Sequence, residues 1–159
     1  MKILLTTLLG LIISFASIAQ CDVQKLNRPD GVTVRYMKAN RVGISDKIML
    51  SLSMQTNGAQ FFVVALSIFQ AKAMNMKGTM TIQFENDKSI TIQHFASQPT
   101  TFGKFPATNS IYTLGENDLP VVSEADIKSV TLQMEDGEMV IITPKANADI
   151  LRVQYTCLK

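Results

Sequence analysis

The chain has 159 residues, 15 of them basic and 13 acidic, giving a formal charge of +2, and 47% are hydrophobic. So even a balance offers no concentrated basic face for nucleic acid, and the apolar fraction is too high for a disordered segment. What remains is a globular chain long enough for one domain with a core of its own.

In chain order, Lys2 precedes an almost continuously apolar run, Ile3 to Phe15, and Ser17-Ile18-Ala19 then places small residues where signal peptidase reads. The pattern predicts a signal peptide over 1–19, removed after Ala19, and a single exported domain over 20–159. The apolar run is about half to two-thirds of the roughly 20 residues that cross a bilayer, so no transmembrane segment is expected in the mature chain. Cys21 sits where a bacterial lipoprotein signal would end. Such processing needs a small residue before the cysteine and Gln20 is bulky, so lipid anchoring through Cys21 stands as the alternative. The only other cysteine is Cys157. In an oxidising compartment the two predict a disulfide, with the first and last structured segments as neighbours and no thiol left for catalysis.

The dominant period beyond the signal is two. Ile48, Leu50, Leu52 and Met54 alternate with Ser51, Ser53 and Gln55, as in a half-buried strand. Asn57-Gly58 predicts a type I′ turn into Gln60 to Phe69, a run apolar on both faces and expected to be a central strand covered on both sides. Met74, Met76, Met80, Ile82 and Phe84 alternate with Asn75, Lys77, Thr79, Thr81 and Gln83. Gly78, in the inward series, marks a bulge or a close backbone approach. Asn86-Asp87 turns the chain into Lys88 to Phe95, and Asp136-Gly137 reverses it between Val130 to Glu135 and Glu138 to Thr143. Thr81-Ile82-Gln83-Phe84-Glu85 echoes Thr131-Leu132-Gln133-Met134-Glu135, a likeness that amphipathic strands reach by patterning alone.

One short helix is predicted near 123–129, with Ser123 as N-cap, Glu124 and Asp126 in the first turn, and a Val122–Ile127 staple. Over 148–158, Leu151, Val153, Tyr155 and Cys157 alternate with Arg152, Gln154 and Thr156, which favours a strand over the helical stripe Ala148, Leu151, Tyr155 and Leu158. Ala96 to Ser110, with Pro99, Gly103 and Pro106, reads as a long irregular loop, the kind of segment that carries function. The fold class is therefore mainly β: an antiparallel β-sandwich or barrel-like sheet built from hairpins.

Chemistry is sparse. The single histidine, His94, has no catalytic motif around it, and Glu116, Asp118, Glu135 and Glu138 make a glycosidase-like hydrolase with paired carboxylates the third-ranked reading. Met74, Met76 and Met80 with His94 supply soft ligands for Cu(I), although the same methionines fit a core. Gly115-Glu116-Asn117-Asp118 and Glu85-Asn86-Asp87 offer oxygens to calcium but lack the acid spacing of a calcium loop. No cofactor is expected. Phe102, Lys104, Phe105 and Tyr112 are the candidate binding residues, in or beside the long loop. Charge is uneven, with Lys25, Arg28, Arg35, Lys38, Arg41 and Lys47 early and Glu116 through Glu138 late, so that the two parts face each other, are solvated, or form a dipolar surface that steers a partner. The expected function is a non-catalytic binding module of a bacterial envelope or secretome, secreted or periplasmic, whose partner is a protein or extracellular ligand. A carrier of a small apolar molecule, glycan or metal is the alternative.

Overall fold

The computed structural model describes residues 21–70, 74 and 76–159. The export signal expected over residues 1–19 lies outside the described residues, as does Asn75 of the methionine segment. The described chain runs β1 (Gln24–Asn27), β2 (Thr33–Tyr36), β3 (Asn40–Ile44), β4 (Ile48–Thr56), β5 (Phe61–Phe69), β6 (Met80–Phe84), β7 (Ser89–Phe102), β8 (Phe105–Leu114), α1 (Asp118–Glu124), β9 (Ile127–Gln133), β10 (Met139–Ile142) and α2 (Ile150–Leu158). The strands form one ten-stranded antiparallel sheet in the order β1-β2-β4-β5-β8-β7-β6-β9-β10, with β3 on the free flank of β4.

The sheet curls until its ends meet. A Cβ added to Gly43 in β3 would lie 2.6 Å from Ile142 Cγ2 and 2.9 Å from the Thr143 carbonyl, so only glycine lets β3 and β10 approach this closely. Lys145 N–H donates to the Val42 carbonyl at 2.9 Å, and the Lys47 ammonium pairs with Glu138 across the same seam. Inside lie the alternating residues that the sequence marks: Leu50, Leu52 and Met54 of β4, Met80, Ile82 and Phe84 of β6, Val130 and Leu132 of β9, all fully buried. Gly78 is a second close approach, since a Cβ there would lie 2.5 Å from Gln133 Cβ.

β4 and β5 pair from Ile48↔Phe69 to Thr56↔Phe61. The loop between them has four residues and is not a type I′ turn. Only Gly58 takes a left-handed φ, and the Asn57 side chain accepts the amides of Ala59 and Gln60, organising the reversal in place of a second left-handed residue. The hairpins at Asp87 and Gly137 share a three-residue turn, closed by Phe84 N–H to Lys88 O at 2.9 Å and Met134 N–H to Glu138 O at 2.8 Å, with the last turn residue left-handed. The two similar pentapeptides are neighbours in the sheet, Thr81 facing Thr131.

Three expectations are corrected. The helix lies at Asp118–Glu124, ahead of 123–129, because Ile127 already pairs with Phe84 in the sheet; Ser123 is inside the helix, its hydroxyl bonded to the Pro120 carbonyl. The segment Ala96 to Ser110 is no loop: β7 and β8 pair from Gln93↔Thr113 to Phe102↔Phe105, with one register shift between His94 and Ala96. Pro99 is tolerated because, beyond Ile92, β7 has a strand partner on one side only among the described residues. The predicted C-terminal strand is the helix α2.

α2 forms because its place in the fold needs a side chain, not another ladder. Between β3, which ends its pairing at Leu52, and β2, which begins at Gln55, β4 exposes the Met54 backbone. Gln154, 1% exposed, accepts from Met54 N–H at 2.6 Å and donates to the Lys38 carbonyl at 2.9 Å. Leu151 and Leu158 enter the core, Arg35 donates to the Leu158 carbonyl, and Cys157 bonds Cys21 with Cα atoms 5.5 Å apart. Gln154→Leu keeps the volume but strands the buried Met54 N–H and removes the donor to the Lys38 carbonyl, and is expected to lower stability by about 1–3 kcal/mol in urea unfolding; a loss under about 0.5 kcal/mol would show that Gln154 does not complete the edge of β4.

Candidate functional site

The predicted binding residues separate in the structure. Phe102 and Phe105 face each other across the Gly103-Lys104 turn, 57% and 44% exposed, with the Lys104 ammonium 5.8 Å from the Phe105 ring. Tyr112, by contrast, points into the barrel and is fully buried, so it has no part in an exposed aromatic patch.

Strand register extends the exposed pair into a larger surface. The outward residues of β5 are Phe62, Val64, Leu66 and Ile68; beside them stand Met49, Ser51, Ser53 and Gln55 of β4 and Ala107, Asn109, Ile111 and Thr113 of β8. Phe62, Val64, Leu66 and Ile111 are only half-buried. β5 is thus central, as its composition predicts, but its outer face is not covered by any described element, contrary to the expectation for a run apolar on both sides. The register shift in β7 between His94 and Ala96 turns Phe95 outward at one end of this stripe, 67% exposed and 5.8 Å from Phe62 between ring centroids. At the other end Ile44, Met49, Ile68 and Phe105 line an apolar pocket of about 160 Å³.

β10 also exposes Met139 and Ile141, but the neighbouring strands β6, β7 and β9 differ. On β6, β7 and β9 the outward positions carry Thr81, Thr91, Thr131 and Gln83, and Thr81 and Thr91 bond to each other at 3.0 Å. All 13 carboxylates lie in turns, connections and helices, none on a strand. On β3, β4, β5, β7 and β8 the sole charged lysine, arginine or carboxylate side chain is Arg41, which faces Ser51. Neither Arg41 nor Lys104 has an ion-pair partner among the described residues.

The histidine and methionine candidates sit on the inner side. A hydroxyl has one proton and two lone pairs. Ser97 Oγ spends its proton on the Met76 carbonyl at 3.0 Å, so His94 Nε2–H at 2.6 Å and the Ser110 hydroxyl at 3.0 Å are the donors to it. His94 therefore steadies Ser97 and does not act as a base that removes its proton. Met76 and Met80 are core residues, fully buried, and Met74 packs against that core, its carbonyl accepting from the Thr108 hydroxyl. Among the described residues no group of three histidines, cysteines or carboxylates is placed to hold a metal. Of the carboxylate candidates, Glu135 pairs with Lys77, Glu138 with Lys47, and Asp118 accepts the Gly115 amide; Asp87, in the other oxygen-rich turn, pairs with Lys128.

Sequence reasoning missed Phe62, Phe95, Ile44 and Met49. The available signal was the doubly apolar composition of Phe61–Phe69, which marks an apolar outer face where no described element covers it. Comparison with family models, with curated proteins and with solved structures finds no match to this chain.

Burial pushes the Tyr112 hydroxyl up to about 12, and it forms no hydrogen bond of normal geometry, although Ser110 is near enough to offset a little of that rise. Tyr112→Phe is therefore expected to leave stability unchanged or raise it by up to about 1 kcal/mol, read from the urea midpoint; a loss of that size would reveal a hydrogen-bond partner. Burial, with Lys77 nearby, holds His94 below the ordinary imidazole range. The unfolded chain then takes up the proton first, so His94 costs stability as pH falls through about 6.5 and nothing well above it. His94→Gln is expected to flatten the stability profile between about pH 7 and pH 5; an unchanged profile would show that another group sets it.

Proposed function

We propose that this chain is an exported, non-catalytic binding module of a bacterial envelope or secretome that docks a protein partner through the outer face of β5. One observation carries the reading: a partly exposed Phe62–Val64–Leu66 stripe, ended by the exposed Phe95 and Phe105, on a sheet whose strands β6, β7 and β9 face outward mainly with threonine and glutamine. Contiguous exposed apolar surface rimmed by neutral polar groups is the form of an interaction site. Phe95, Phe102 and Phe105 are the rigid aromatic anchors that such sites use.

The disulfide fits an oxidising compartment, and among the described residues no helix is long and apolar enough to cross a membrane. Surface docking is favoured over carriage of a small molecule by the interior, where Tyr112, Phe69 and Phe84 fill space as fully buried side chains. The pocket at Phe105, about 160 Å³, is also below the roughly 300–1,000 Å³ of small-molecule sites.

The test is a photo-crosslinking phenylalanine analogue placed at Phe95, at Phe105 or at Thr91 in the mature protein, exposed to its host's envelope extract. Adducts with a common protein are expected from Phe95 and Phe105 and not from Thr91. Equal labelling at all three positions, or none at any, refutes the docking face. Phe95→Ser combined with Phe105→Ser is expected to reduce partner retention at least roughly ten-fold, with folding stability changed by about 0.5 kcal/mol or less because both side chains are exposed.

A further inference from the structure

We infer that the occupant of the β5 face is an amphipathic helix of the partner, with acidic residues flanking its apolar side; the inference rests on the docking reading above and names the chemistry of that partner. Backbone availability decides between a helix and a strand. β5 is paired from Phe61 to Ile68 with β8 and over its whole length with β4, so this face presents side chains and no free N–H or C=O. An extended segment pressed against it would bury its own backbone without partners, whereas a helix satisfies its hydrogen bonds internally.

Dimensions agree. From Phe62 to Ile68 the stripe is about 20 Å long at ~3.3 Å per residue, which matches about four helical turns. Its apolar width, β5 with Met49 on one side and Ile111 on the other, spans about 10 Å at ~4.8 Å per strand, the diameter of a helix. Ser51, Ser53 and Gln55 on one margin and Asn109 and Thr113 on the other supply a neutral polar rim.

Charge sets the flanks. The strands of this face carry no carboxylate, and its two cations, Arg41 beside Ser51 and Lys104 at the β7–β8 turn, have no ion-pair partner among the described residues. A second copy of the same face would oppose cation to cation with no acid between them. A helix flanked by glutamate or aspartate complements both.

The probe is a pair of synthetic helical peptides of about four turns, sharing one leucine stripe and differing only in glutamate or lysine on the flanks. Titrated against the disulfide-bonded mature protein by fluorescence anisotropy, the glutamate peptide is expected to bind at least ten-fold more tightly. Arg41→Glu with Lys104→Glu is expected to reverse that preference, and Leu66→Thr with Phe95→Ser to abolish binding of both peptides. Equal affinity of the two peptides, or no binding of either, overturns the inference. Binding to phosphatidylglycerol vesicles with both peptides silent also overturns it, making the face a lipid-docking surface. These failures leave the photo-crosslinks at Phe95 intact, whereas failure of the docking reading removes the crosslinks themselves.

Discussion

The outer edge of β4 is the constraint on which the fold depends. A central strand must pair every backbone group, and β4 does so on that edge with different partners in succession: β3 up to Leu52, the Gln154 side chain and the Met37 amide at the Met54 N–H and C=O, and β2 from Gln55. Because Gln154 sits on the last helix, the final residues of the chain complete a strand laid down a hundred positions earlier. A buried N–H left alone costs about 1–3 kcal/mol, comparable with a sizeable part of a domain's net stability. The Cys21–Cys157 disulfide and the Arg35–Leu158 contact gather the two chain ends at this same place.

Completing β4 lets the sheet curl, and curling gives every strand an inside and an outside. The inside is filled by alternating aliphatic and aromatic side chains, with the Ser97, Ser110 and His94 cluster holding the Met76 carbonyl and Thr108 holding that of Met74. The outside is solvent, and most outward positions are threonine, serine or glutamine. Among the long strands β5 is apolar outward along most of its length, while the short strand β10 exposes Met139 and Ile141. Chain connectivity does not require this, since β6 shows that a central strand of the same sheet is built with a polar outer face. The apolar outer side of β5 is therefore the feature on which the proposed docking function rests.

Much of the architecture was legible in local pattern. The alternation of Ile48–Thr56 gave β4, Asn86-Asp87 and Asp136-Gly137 gave two hairpins, and Gly78 marked a close approach. Each rests on information within a few residues: side-chain period, left-handed tolerance, absence of a Cβ. The site was less legible. Phe102, Lys104 and Phe105 were singled out by their aromatic and basic character, but Tyr112 belongs to the interior, and Phe95 reaches the surface beside Phe62 through a register shift that no local pattern announces.

Sequence alone therefore determined the β class, the inward residues of most strands and the pairing of the two cysteines, since periodicity and cysteine count are properties of short stretches and of composition. Tertiary structure alone decided three matters. It made Ile150–Leu158 a helix, because the same residues fit both periods and only the gap at Met54 calls for Gln154. It made Ala96 to Ser110 part of a long hairpin, because a β7 edge free of further pairing accommodates Pro99. It left Phe62, Val64 and Leu66 on the outer side of β5 partly exposed, because whether an apolar face is covered depends on where distant elements pack, and neither helix among the described residues packs there.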